Sequence, residues 1–111
     1  MDIVAILDEL LTSVNASFGW YNKDLDITHV TFIQIGDKPT EYSDDEETGT
    51  VYTVQIDIWG KDDYETMQKK NIIRELMKNS EFGYIDGQDL YEDDTKIYHK
   101  ALRYQILDSK D

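Results

Sequence analysis

For chemistry the chain offers 24 carboxylates, two histidines, five serines and no cysteine. Nucleophilic catalysis finds no framework among them. None of Ser13, Ser17, Ser43, Ser80 and Ser109 sits in a strand–turn–helix elbow that would strain and expose a hydroxyl. The six glycines are scattered as turn residues, so no glycine-rich loop cradles a phosphate. His29 and His99 fall in strand-like segments, which facing strands can bring together, but no ligand spacing surrounds either one. Asp44, Asp45, Glu46 and Glu47 offer hard oxygens, as do Asp86, Asp89, Glu92, Asp93 and Asp94. Neither group has the alternating spacing and distal glutamate that wrap a calcium ion. Paired carboxylates for glycoside hydrolysis are inevitable among so many acids, and nothing marks a cleft that would split their pKa values. The expectation is a chain with no catalytic residue, no cofactor and no metal.

Bulk properties narrow the class. A chain of 111 residues, 40% apolar and 32% charged, is expected to form one domain with a modest core. No apolar run approaches the ~20 residues of a membrane span. The opening MDIVAILDELL has no basic region before its apolar residues, unlike a secretory signal. Without cysteine there is no disulfide framework, and a cytoplasmic birthplace is the default expectation. The net charge of −13 is concentrated in Glu41–Glu47 and Asp86–Asp94, each with five acids and no base. Such a surface repels phosphate backbones and anionic lipids, so neither sequence-specific nucleic acid nor membrane is an expected partner.

The elements that would position these residues follow from hydrophobic period. From Thr50 to Lys78 the chain reads as a strand, a glycine break and a helix. Tyr52, Val54, Ile56 and Ile58 share one parity, and Thr53, Gln55, Asp57 and Trp59 the other, as in a strand with one face on a core. Asp62 and Asp63 suit the start of the helix, where carboxylates accept from free N–H groups. Tyr64, Met67, Ile72, Ile73, Leu76 and Met77 make its expected apolar stripe, with Lys69, Lys70, Arg74 and Lys78 mostly opposite. Residues 2–14 carry Ile3, Ile6, Leu7, Leu10, Leu11 and Val14 at helical spacing, with acids outside. That acidic outer face favours a core-packing helix over a membrane-surface one.

Residues 15–28 read as an irregular connection, with Phe18, Trp20 and Tyr21 expected to cap the core. HVTFIQI, residues 29–35, is a strand that Gly36–Asp37 should end, with Pro39 in an edge or irregular piece. SDDEETG, 43–49, reads as a long acidic hairpin tip, and DGQDLYEDD as a second acidic loop or a loop followed by a bulged strand. KIYHKALRYQIL, 96–107, alternates as a last half-buried strand. The expected fold is α+β, a mainly antiparallel sheet with two helices packed on one face.

Several segments look familiar together. TFIQIGDKPTEYSDDEETGTVYTVQIDIW, then GKDDYETMQKKNIIRELMKNSEFGY and YEDDTKIYHKALRY, resemble the small tail-completion (tail-terminator, head–tail joining) proteins of long-tailed phages and Gram-positive prophages. The shared features are a Q-x-G-D-x-P-x-E-Y-like segment before an acidic loop, a V-Q-I-D-I-W-like strand with a K-D-D-Y-like helix start, and a D-T-x-I-Y-H-K-A-L-R-Y-like strand. The likeness spans about residues 31–104. It implies a non-catalytic assembly protein of the virion tail, made in the host cytoplasm. It also implies a ring, typically sixfold, that caps the tail tube and joins it to the head. Expected partners are further copies, the tube protein and the head–tail connector proteins. No short motif carries the family's docking residues over one by one.

The residues expected at an interface are therefore physical candidates. Trp59 and Gln55 lie on the outer face of the long strand, and tryptophan is enriched in interface hot spots. Asp44, Asp45, Glu46 and Glu47 form the acidic tip, which suits a basic partner surface or plain solvation. The alternative function is an acidic adaptor or inhibitor mimicking nucleic acid, which needs the two acidic segments on one face at phosphate-like spacing.

Overall fold

The computed structural model describes residues 1–19, 27–43 and 46–109, with the backbone alone at 40–43 and 46–48. In chain order these form helix α1 (Ile3–Leu10), a 3-10 turn (Thr12–Val14) and strand β1 (Ser17–Phe18). Strands β2 (His29–Ser43) and β3 (Glu46–Gly60), helix α2 (Asp63–Lys78), and strands β4 (Gly83–Glu92) and β5 (Ile97–Ser109) follow. The fold is α+β, with a five-stranded mixed sheet in the order β1-β2-β3-β5-β4. Only β1 runs parallel to its neighbour.

The alternation along β3 builds the core. Val54, Ile56 and Ile58 are fully buried and meet Phe32 and Val30 on β2 and Leu102 and Tyr104 on β5. Ile3, Leu7, Leu11 and Val14 from the first helical region and Ile73 and Met77 from α2 close over the same face in one cluster. Burying a side chain of this size stabilises by about 1.5–3 kcal/mol relative to leaving it in water. Both helices start on an aspartate. Asp2 accepts from the Ala5 N–H, and Asp62 from those of Tyr64 and Glu65, which satisfies donors that a helix start leaves free.

Four expectations are corrected. First, β2 does not stop at Gly36–Asp37. It passes a bulge between Gln34 and Gly36 and continues to Ser43, because β3 goes on offering partners. β1 reaches only Thr31 and Phe32, so beyond them β2 has an open edge among the described strands, the setting in which a strand tolerates a proline such as Pro39. The expected long acidic tip shortens accordingly, since Ser43 already pairs with Glu46.

Second, of the two readings of DGQDLYEDD the bulged strand comes nearer, but no loop precedes it: Asp86–Glu92 lies wholly within strand β4. Its bulge between Tyr84 and Asp86 inverts the alternation, so that Asp89 and Tyr91 face the helices. Asp89 there meets Lys70 at 3.2 Å and Lys100 at 3.5 Å, and Lys100 also meets Asp63 at 3.2 Å.

Third, the stripe of α2 is narrower than its apolar residues suggested. Tyr64, Met67 and Ile72 are exposed, while Thr66 is buried in the first turn. Its hydroxyl donates to the Asp63 carbonyl, so burial leaves no bond unmade. Fourth, Phe18 does not cap the core. It is 63% exposed and touches Phe32 edge-on. Trp20 and Tyr21 lie outside the described residues.

Gly60 marks a close approach. A Cβ there would stand 2.7 Å from Thr28 Oγ1 and 3.0 Å from the Thr66 methyl. Thr28 cannot simply swing away, because its hydroxyl donates to Glu65 Oε2 at 2.7 Å. Gly60→Ala is expected to lower unfolding stability by about 1–2 kcal/mol by urea titration; an unchanged midpoint would show that the site relaxes freely.

Asp89 sets an acid dependence. Partial burial pushes its pKa up, but the Lys70 hydrogen bond and the charges of Lys100 and Lys70 outweigh this and leave it lowered. A lowered folded-state pKa contributes stability above the unfolded-state value and loses it as pH falls through the folded-state one. The stability difference between wild type and Asp89→Asn should thus be complete near neutrality and shrink as pH drops below about 4, as urea titrations across pH would read.

Candidate functional site

The sheet face turned away from the helices holds the polar residues that the alternation set aside. Three rows cross it in register. His29, Trp59 and His99 form one; Thr31, Asp57 and Ala101 the next; Ile33, Gln55 and Arg103 the third, extended by Asp86 on β4. Each residue sits there because it holds the opposite parity from the core residues of its strand.

Asp57 is the centre of this face and is only 1% exposed. Its Oδ1 accepts from Gln55 Nε2 at 2.8 Å and faces His99 Nε2 at 2.7 Å. A carboxylate is acceptor-only, so this contact fixes the proton on Nε2 of His99. The imidazole is clamped from the side by Trp59, whose ring stacks on it with centroids 3.7 Å apart and planes 10° apart. Trp59 donates from Nε1 to Thr31 Oγ1 at 3.0 Å. His29 lies 6.4 Å beyond Trp59 in nearly parallel orientation and donates from Nδ1 to the Ile27 carbonyl at 2.7 Å. Among the described residues, two buried acceptors on this face, Asp57 Oδ2 and His29 Nε2, have no hydrogen-bond partner.

Beside this stack lies a hollow of about 540 Å³ lined by Gln55, Asp86, Gly87, Gln88, Ala101 and Arg103. The small Ala101 side chain leaves the space, and Gly87 lines it with backbone alone, since a Cβ there would point to the other face, toward Tyr84 and Leu102. Arg103 grips Asp86 with two bonds, Nε to Oδ1 at 2.7 Å and Nη2 to Oδ2. That bidentate bond holds the Asp86 carboxyl below the usual carboxylate range and raises Arg103. Both side chains are about half exposed, so the pair positions the hollow's rim more than it stabilises the fold.

The candidates from the sequence are distributed unevenly over this geometry. Gln55 and Trp59 do lie on the outer face, but both are half-buried and engaged within the chain. Trp59 is a structural member of the stack rather than a free aromatic knob. Glu46 and Glu47 open β3, opposite Ser43 and Tyr42. Asp44 and Asp45 lie outside the described residues. His29 and His99 do share a face, but Trp59 separates them. Among the described residues no three His, Asp or Glu side chains converge as a metal ligand set. The Asp57–His99 pair orients an imidazole as a general base would require, yet no serine or threonine hydroxyl hydrogen-bonds to it among the described residues.

Sequence reading missed the burial of Asp57 and the grip of Arg103 on Asp86. The available signal was parity: Asp57 lies between Gln55 and Trp59, and His99 and Arg103 share a parity on their own strand. Register, which decides who meets whom, is not written in either segment alone.

His99→Phe keeps a ring under Trp59 but leaves the buried Asp57 carboxylate with Gln55 in place of two donors. It should lower stability by about 3 kcal/mol, whereas Arg103→Gln should unfold at the wild-type midpoint. Equal losses in the two variants would place the weight on Asp86–Arg103 instead. No protein-family model matches this chain, and no curated protein is similar to it.

Proposed function

We propose that this protein is a subunit of the ring that completes a long phage tail, capping the tube and joining it to the head. The observation that carries this reading is the resemblance of residues 31–104 to tail-completion proteins, in segments that run in the same order along the chain. The fold is compatible with it: an α+β unit with helices on one face and a hairpin of two 15-residue strands. The shape is elongated, at 53 × 26 × 21 Å, which suits a subunit that reaches past its neighbours. In this reading the partners are further copies of the chain, the tail-tube protein and the head–tail connector. The protein is made in the host cytoplasm and ends in the virion tail.

The rival reading, an acidic mimic of nucleic acid, loses support from the pairing of the second acidic segment. Asp86 is held by Arg103, and Asp89 by Lys70 and Lys100. Carboxylates engaged within the chain make a poor phosphate ladder, because a nucleic-acid-binding surface would have to displace bonds already made.

Electron microscopy of tails produced with and without the protein tests the proposal. Tails lacking it should be aberrant in length or fail to join heads. Tails of normal length that join heads without it would eliminate the reading.

A further inference from the structure

A hollow of about 450 Å³ opens between the last turns of α2 and the start of β4, with Tyr104 of β5 lining it as well. Its floor is apolar, from the buried Met77 and Phe82. The Tyr84 ring forms a wall and meets Tyr104 edge-on, with centroids 5.3 Å apart. Two cations line the hollow, Arg74 and Lys78, against one acid, Glu75. Neither cation is in an ion pair among the described residues, whereas Lys70, Lys100 and Arg103 all are. In a chain of net charge −13, two cations left over in one hollow are out of character.

The Tyr104 hydroxyl is a second, independent sign of a ligand. Its residue is 2% exposed, and the hydroxyl has no hydrogen-bond partner among the described residues. Burial pushes its pKa up by more than the Arg74 charge beside it pulls it down. The hydroxyl therefore keeps its proton at neutral pH. A guanidinium has no acceptor, so Arg74 cannot receive that proton. A buried donor is thus left unmet beside two cations, and what answers all three is an anionic oxygen.

We propose that this hollow binds a small carboxylic acid with an apolar body. The carboxylate accepts from Arg74 and from the Tyr104 hydroxyl, and Lys78 adds its charge. The body lies on Met77 and Phe82, as in ligand sites that combine an apolar lining with a few convergent polar groups. Arg74 is suited to the task. Its guanidinium lies over the Tyr84 ring, 3.8 Å from the centroid, and a stacked guanidinium keeps its N–H edge free for a planar carboxylate. The Arg74 side chain is exposed, so it can move from beside the hydroxyl onto the entering acid. Charge selects a carboxylate over a phosphate. Two cations and one acid leave a single positive charge, which a monoanion balances, while a dianion would bring surplus negative charge to an acidic chain. The site goes beyond the ring-subunit reading and does not depend on it.

Titration of the isotopically labelled full chain with 3-phenylpropionate, followed by amide chemical shifts, tests it. Shifts at Met77, Phe82 and Tyr104 should saturate with a millimolar Kd, the range expected of an acid of this size. The neutral 3-phenylpropanamide should bind about tenfold more weakly, and phenyl phosphate no more tightly than the acid. Arg74→Gln and Tyr104→Phe should each weaken the acid about tenfold, while Lys69→Gln, outside the hollow, should bind as wild type does. Tyr104→Phe removes a donor that has no partner in the free protein, so it should unfold at or above the wild-type midpoint. No saturable shift up to about 20 mM acid, an amide that binds as well as the acid, or a Tyr104→Phe protein that binds undiminished would overturn the site. Tighter binding of phenyl phosphate would overturn the choice of a carboxylate. A Tyr104→Phe midpoint below wild type would show the hydroxyl bonded within the chain and would overturn its role as the waiting donor.

Discussion

The two-sided pairing of β3 is the constraint on which the rest of the structure depends. Every position from Gly49 to Trp59 on this strand faces a partner on β5 and another on β2. Its side chains have no freedom to change face without moving three strands at once. The alternation therefore divides the protein. One face becomes the apolar core under α1 and α2, and the other must take whatever the intervening residues supply.

What they supply is polar, and burial makes that consequential. Asp57 stands in the middle strand with both neighbouring strands against it, so its carboxylate leaves water on folding. A charge in that position is tolerable only with donors at hand. Gln55, two residues along the same strand, and His99, on the next, provide them. Trp59 stacks on the imidazole, and Thr31 accepts the Trp59 Nε1–H in turn. A network of this kind adds less to stability than an apolar core of equal volume would, but it penalises any other register, because a slip of one residue leaves the carboxylate unpaired.

The sequence was most legible where one physical cause acted alone. The period of two in β3, the glycine break at Gly60 and the capping Asp62 lead directly to the strand–turn–helix unit. Legibility failed where tertiary context overrode local cues. Gly36 and Asp37 look like a stop, but a bulge and a waiting partner strand carry β2 through them. Asp86–Glu92 looks like a solvated loop, yet Arg103, Lys70 and Lys100 neutralise its acids from the adjoining strand and helix and let it pair as β4. Ile72, Met67 and Tyr64 look like core by type, but α2 touches the sheet along too narrow a line to cover them. The candidate site was half visible: Gln55 and Trp59 were placed on the correct face, while their engagement with Asp57, Thr31 and His99 depended on inter-strand register.

A middle strand paired on both sides and a polar network across its outer face describe a unit suited to presenting fixed surfaces to neighbours. The hairpin of β2 and β3 extends its ladder to Ser43 and Glu46. We propose that these surfaces serve a ring at one end of a phage tail. Gold labelling of an affinity-tagged chain on purified virions tests it most directly. The account predicts label confined to a single band at the head-proximal end of the tail; label spread along the tube, or absent from the particle, would contradict it.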